Sequence, residues 1–181
     1  ALMLLSVSGM MLLVASRDVI TAYVALELSA LPAAALAAFL RTDRSLEAGL
    51  KFLLLSALSS AVLLYGLVYL YGATGTTDIA GILEGINSMD ADGDRAFGSS
   101  AIMLGVVMVV AGFGFKMAMA PFQMWVPDVY EGAPTPVVAF LSIASKSAAF
   151  AIVLRVLYTA LGTDELAADC SILIAILAAI T

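Results

Sequence analysis

Six stretches of this chain, residues 1–16, 19–40, 46–71, 99–118, 135–158 and 168–181, are apolar on every side instead of along one stripe. A segment without a polar face has no place on the surface of a soluble protein. In lipid its backbone finds no water, so each run is predicted to close its hydrogen bonds within its own helix. The chain as a whole is 63% hydrophobic and 12% charged, with a mean hydropathy of +1.09, which sets it apart from soluble domains. The expected fold is all-α and integral to the membrane: a polytopic transmembrane helix bundle, forming a single domain over residues 1–181.

The connections at 17–18 (RD) and 41–44 (RTDR) are short enough for helical hairpins. Residues 72–98 read as a long acidic loop, with Asp78, Glu84, Asp90, Asp92 and Asp94 against Arg95. Alternating crossings put Arg17, this loop and residues 159–167 on one side, with Arg41, Arg44 and the turn at 131–134 on the other. Lys and Arg divide three (Arg17, Arg95, Arg155) against two, and the compact basic RTDR turn is placed in the cytoplasm. The chain opens at Ala1 directly in an apolar run with no basic start, and the last run falls short of the ~20 residues of a full crossing. An internal fragment of a longer protein is therefore expected.

Between residues 118 and 135 the helical pattern fails. Pro121, Pro127 and Pro134 each remove a backbone donor, and each restricts the residue before it. A discontinuous helix is predicted, with a break followed by a short amphipathic piece ending near residue 131. Irregular backbone at membrane depth survives only where protein or a hydrated cavity satisfies it, so the break should face the bundle interior.

Four charges stand inside the apolar runs. Glu27, in TAYVALELSALPAAALAAF, has no basic residue at i±3 or i±4. An ionised carboxylate there costs several kcal/mol unless paired or hydrated, so it either binds a proton or has a partner on another helix. Lys146 sits in the middle of its run with Ser142, Ile143, Ala149 and Phe150 at those spacings, where insertion of a lysine costs about 2.5–3.5 kcal/mol. Lys116 either snorkels from a break near the interface or is buried at a break inside the membrane. Lys51 follows Glu47 by one helical turn, so an ordinary i,i+4 pair with a snorkelled stem accounts for it as well as chemistry does. For all four, an ion pair that only locks helices together is the structural alternative. In low dielectric, both residue types can be brought into the range where they exchange protons. A glutamate and several lysines on successive helices thus resemble a proton relay more than a binding pocket. Trp125 and Tyr130 read as interfacial aromatics, and Asp128 and Glu131 as caps or water-facing groups.

With Cys170 the single cysteine and no histidine, the chain offers no disulfide framework, no His-ligated haem and no self-contained iron–sulfur site. A net charge of -6 argues against nucleic acid as a partner. Nucleophile–histidine pairs, phosphate-binding glycine loops and metal-ligand clusters are missing from the sequence, so no catalytic, cofactor-binding or metal residue is assigned.

The stretch FKMAMAPFQMWVPDVYEGAPTPVVAFLS resembles the antiporter-like membrane subunits of respiratory complex I, the proton-translocating NADH:quinone oxidoreductase. Its PDVYEGAPTPVVAFLS wording is similar to the subunit N (subunit 2) branch. SLEAGLKFLLLSALSSAVLLYGLVYLYGATGTT and LLVASRDVITAYVALELSALPAAALAAF agree with that branch in order. The resemblance implies an antiporter-like fold of two inverted repeats, each with a broken helix, of which this chain holds the first. It implies proton translocation coupled to quinone-linked electron transfer, with NADH, FMN, iron–sulfur clusters and quinone held by partner subunits, both membrane and peripheral, in the inner (plasma) membrane of a prokaryote. A subunit of a multisubunit cation/proton antiporter or of a membrane-bound hydrogenase is the alternative on the same fold. Residue by residue, Glu27 in ALELSALP matches a glutamate that pairs with and modulates a lysine, and Lys51 in GLKFLLLS a lysine proposed as that partner. Lys116 in GFKMAMAPF matches the lysine of the broken helix, and Lys146 in SIASKSAAF the central lysine of the transfer route. Gln123, in PFQMW, stands where the family usually has histidine, which removes a titrating role there.

Overall fold

The computed structural model describes the backbone of residues 1–92, 95–160 and 164–181, with side chains except at 89–99 and 161–169. The chain runs through α1 (Leu2–Ala15), α2 (Val19–Ala37), α3 (Asp43–Thr74), α4 (Ile79–Asp92) and α5 (Arg95–Met117). A tight turn at Phe122–Trp125 leads into α6 (Val126–Gly132), followed by α7 (Thr135–Ala160) and α8 (Asp164–Ile180). Among the described residues, four segments are long and apolar enough to cross a membrane: Val19–Ala37, Asp43–Thr74, Ser100–Gly132 and Thr135–Ala160. Large apolar side chains cover much of their outer faces, as lipid contact requires, including Leu54, Leu58, Ile143 and Phe150.

α4 corrects the reading of residues 72–98 as a loop. Ile79, Ile82 and Ile86 recur at helical spacing and are all buried, which gives an otherwise glycine- and acid-rich stretch one apolar face to dock against the end of α7. Of the charges assigned to that loop, the side chains of Asp90, Asp92 and Arg95, and the whole of Asp94, lie outside the described residues.

α1 and α2 form a hairpin, α2 packs on α3, and α3 has its most extensive contact with α5. α6 folds back across α3, and the Lys146–Arg155 stretch of α7 lies against α1 and α5. Two apolar clusters result. One joins α1–α5, α7 and α8 around Leu13, Leu63, Val106 and Ile152; the other collects Ala33, Ala37, Phe52, Phe115, Trp125 and Leu141 around the helix break.

The connections sort to two ends. At one, Val19 N donates to Thr77 O and Ile79 N to Arg17 O, both at 2.9 Å, so the α1–α2 and α3–α4 links pair with each other. Arg155 reaches the same end and donates to Ser16 O at 2.6 Å, satisfying a carbonyl left free where α1 stops. Arg44 and Glu131 meet at the opposite end, 3.6 Å apart. Asp18 caps α2, accepting from the amides of Ile20 and Thr21 at 2.9 Å. Side-chain hydrogen bonding from Thr77, reinforced by those two amides and opposed by burial, holds its carboxyl below the ordinary carboxylate range. A depressed native value means the contribution is full above the unfolded pKa of about 4 and is lost as pH falls through the native one. Asp18→Ala should lower stability by about 1 kcal/mol at neutral pH. Asp18→Asn should remove the acid-side dependence, read from thermal unfolding of the detergent-solubilised protein across pH.

α5 ends where Ala118 turns left-handed, at φ 59. Ala118 N donates to Phe115 O and Met119 N to Gly114 O, the paired bonds of a Schellman stop. The helix is therefore closed three residues before Pro121, and the proline keeps it from resuming. A left-handed alanine is strained where glycine is not, so Ala118→Gly should stabilise the protein by about 0.5–1 kcal/mol after the entropy of the added glycine is deducted. A lower denaturation midpoint in the variant would refute strain at this position.

Candidate functional site

The break gathers an aromatic cluster. The Trp125 ring lies 5.0 Å from that of Phe52, 5.5 Å from Phe115 and 6.2 Å from Tyr130. Its indole N–H donates to Phe115 O at 3.1 Å, a carbonyl that the end of α5 leaves short of its regular partner. Trp125 is 3% exposed, which overturns its reading as an interfacial aromatic: the Phe115 carbonyl inside the bundle, shared with the Ala118 amide, supplies the polar partner that the interface would otherwise provide. Pro127 starts α6, and Pro134 caps α7, positions that lack the need for an amide donor.

Lys116 lies in the last turn of α5, one residue beyond Phe115, and is 5% exposed. Of the two placements open to it in the sequence, burial at an internal break is the one found. The charged side chain acting on it is Glu27 of α2, which attracts it across a gap without an ion-pair contact. Glu27 in turn accepts a hydrogen bond from Ser60 on α3, itself buried. A cation, a carboxylate and a hydroxyl from three helices thus converge beside the break.

Lys51 is elsewhere. Its ammonium is 2.7 Å from Glu47 and 2.7 Å from Asp128 of α6, and its side chain is 41% exposed. With Arg44 and Glu131 these residues line an open polar cleft of ≈ 170 Å³. The pairing of Lys51 with Glu27 that the resemblance implies is not the one present. Ser60, which marks the level of Glu27, lies nine residues further along α3, about 13 Å away at 1.5 Å per residue. Two carboxylates nearer its own end hold Lys51 instead. The i,i+4 pair with Glu47 was legible locally, whereas Asp128, 77 residues on, had no local signal.

Lys146 follows a widened helical turn at Leu141–Ser145, a type of bulge often found at functional sites. Half-buried, it holds its ammonium 5.9 Å from the centroid of the Tyr130 ring. Its other side borders a broad hollow of ≈ 570 Å³ lined by Ser142, Ile143, Ser147 and Phe150. Gln123 is exposed in the turn at Phe122–Trp125.

The four residues singled out in the sequence therefore occupy three places: Glu27 with Lys116 inside the bundle, Lys146 across the aromatic cluster, and Lys51 at one end. Sequence reasoning missed the parts played by Ser60 on α3 and by Asp128 and the Tyr130 ring on α6, each reaching a charge on another helix.

Residues 16–181 match the profile of the family described as NADH:quinone oxidoreductase/Mrp antiporter, transmembrane. The chain is 49% identical over 162 residues to the NADH-quinone oxidoreductase subunit N of Sphingopyxis alaskensis, covering 89% of this chain and 32% of that one. Respiratory complex I from Thermus thermophilus with bound aureothin superposes with a TM-score of 0.68 at 43% identity, over 81% of this chain and 31% of its counterpart. The membrane-bound sulfane sulfur reductase, an archaeal respiratory membrane complex, superposes with a TM-score of 0.77 at 28% identity, over 96% and 34%. This chain spans about a third of the length of the relatives it matches. By its profile match and its identity to chains named subunit N, the chain belongs to the NADH:quinone oxidoreductase/Mrp antiporter transmembrane family.

Proposed function

We propose that this chain acts within a proton-translocating membrane subunit of an NADH:quinone oxidoreductase, in the inner membrane of a prokaryote. Companion subunits would hold NADH, FMN, iron–sulfur clusters and quinone, while Glu27, Lys116 and Lys146 pass protons. The observation that carries the reading is Lys116, buried at a helix break with the Glu27 carboxylate as its electrostatic counterpart. A lysine in that setting holds a proton against desolvation by means of one nearby charge, so a change at the carboxylate changes its hold. The ion-paired Lys51 serves better as a fastener between α3 and α6, or as a station at the cleft where water reaches it, than as a partner of Glu27.

The test is NADH-driven proton pumping by vesicles containing the assembled complex. Lys116→Met should reduce pumping about tenfold or more, and unchanged pumping would end the relay reading. A second reading, a subunit of a multisubunit cation/proton antiporter, draws support from the family description, which names Mrp antiporters beside the oxidoreductase. The identity to chains named subunit N favours the first. Pumping that requires sodium and proceeds without NADH oxidation would favour the second.

A further inference from the structure

We propose that Tyr130 is a positioning residue for Lys146, its ring face holding the ammonium toward the helix break so that charge at Lys146 is felt beside Lys116. The inference rests on the proton-relay reading and deepens it, since that reading assigns Tyr130 no role.

Three observations converge on the ring. The Lys146 ammonium stands 5.9 Å from the Tyr130 ring centroid, within the reach at which the negative face of an aromatic ring attracts a cation. No ion pair involving Lys146 occurs among the described residues, so the ring is the partner its charge has there. The phenol hydroxyl is buried and bonded to no described group, so it does not fix the ring in place. What fixes the ring is packing. Tyr130 meets Trp125 edge to face at 77°, and Trp125 is pinned by its indole N–H to the carbonyl of Phe115, the residue before Lys116. A continuous series of contacts therefore runs from the last turn of α5 through Trp125 and Tyr130 to Lys146 on α7. Each link depends on an aromatic ring.

A shift of the break, or of charge at Lys116, would move Trp125 and with it the surface on which Lys146 rests. Conversely, a neutral Lys146 has no electrostatic reason to stay on the ring. The contact thus discriminates between the two protonation states of Lys146 and links the second station mechanically to the first.

The experiment uses the assembled complex in inverted membrane vesicles and measures protons pumped per NADH oxidised. Tyr130→Phe keeps the ring and should pump as the parent does. Tyr130→Leu should lower pumping about two- to five-fold, the range corresponding to a partly exposed cation–ring contact. Phenylalanines of increasing fluorination at position 130 preserve packing while draining the ring face of negative potential, and pumping should fall stepwise along the series. A flat fluorination series overturns the proposal, because packing alone would then account for the leucine variant; so does a Tyr130→Phe variant as impaired as Tyr130→Leu. Lys146→Met measured in parallel separates the two levels: normal pumping there sinks the relay reading itself. Lost pumping there alongside a flat series at 130 sinks the role of Tyr130 alone.

Discussion

Lys116→Met is expected to reduce NADH-driven proton pumping about tenfold or more while leaving the complex assembled, and Lys116→Arg is expected to be nearly as damaging. The arginine variant separates a carrier from a fastener. Guanidinium keeps its positive charge and remains attracted to Glu27, so an attraction that only holds α2 and α5 in register would survive the change. A proton station would not, because arginine does not release its proton at any pH the membrane meets. Glu27→Gln should give an intermediate loss: the hydroxyl of Ser60 still finds an oxygen acceptor, but Lys116 no longer has its charged counterpart. Parental pumping by Lys116→Arg would leave the buried lysine with a structural role only.

The bundle and its break were legible because bilayer chemistry leaves few options. Uninterrupted apolar runs must be helical, and three prolines within fifteen residues cannot be. The manner of stopping was not legible. Ala118 closes α5 in a left-handed conformation that alanine seldom adopts, and nothing in its neighbourhood advertises this. Helix α4 was within reach, since Ile79, Ile82 and Ile86 carry a helical period, but glycines and acids around them weighted the reading toward a loop. Sequence spacing singled out the charged candidates and, apart from the i,i+4 contact of Lys51 with Glu47, not their pairings. Glu27 finds Ser60 at a separation of 33 and Lys51 finds Asp128 at 77, and such matches are set by how helices slide past one another. Trp125 illustrates the same limit: its amphipathic character fits an interface, yet one carbonyl freed inside the bundle is enough to draw it in.

That sliding is governed by small residues, and Gly112 is where a substitution should act most directly on the spacing of Glu27 and Lys116. A Cβ at Gly112 would lie 2.5 Å from Leu63 Cβ and 3.0 Å from Leu63 Cα, so α3 and α5 touch backbone to side-chain root there. Ser59 Oγ also donates to Gly112 O at 3.0 Å, fixing the register of the two helices at the same level. Ser60, one residue on, contacts Glu27, and Lys116 lies one turn beyond Gly112 on α5. The close approach therefore sets the separation across which Glu27 and Lys116 attract. Gly112→Ala should cost about 1–3 kcal/mol through overpacking and should weaken pumping by spreading the site, while Gly112→Leu should prevent stable assembly altogether. Gly72 is the matched control: nothing lies within 4 Å of its would-be Cβ, so Gly72→Ala in α3 should be neutral or slightly stabilising. Assembly is read from the yield of intact complex, and separation from the ratio of pumping to NADH oxidation. If Gly112→Leu assembled and pumped like Gly72→Ala, the α3–α5 contact would not be what places Lys116.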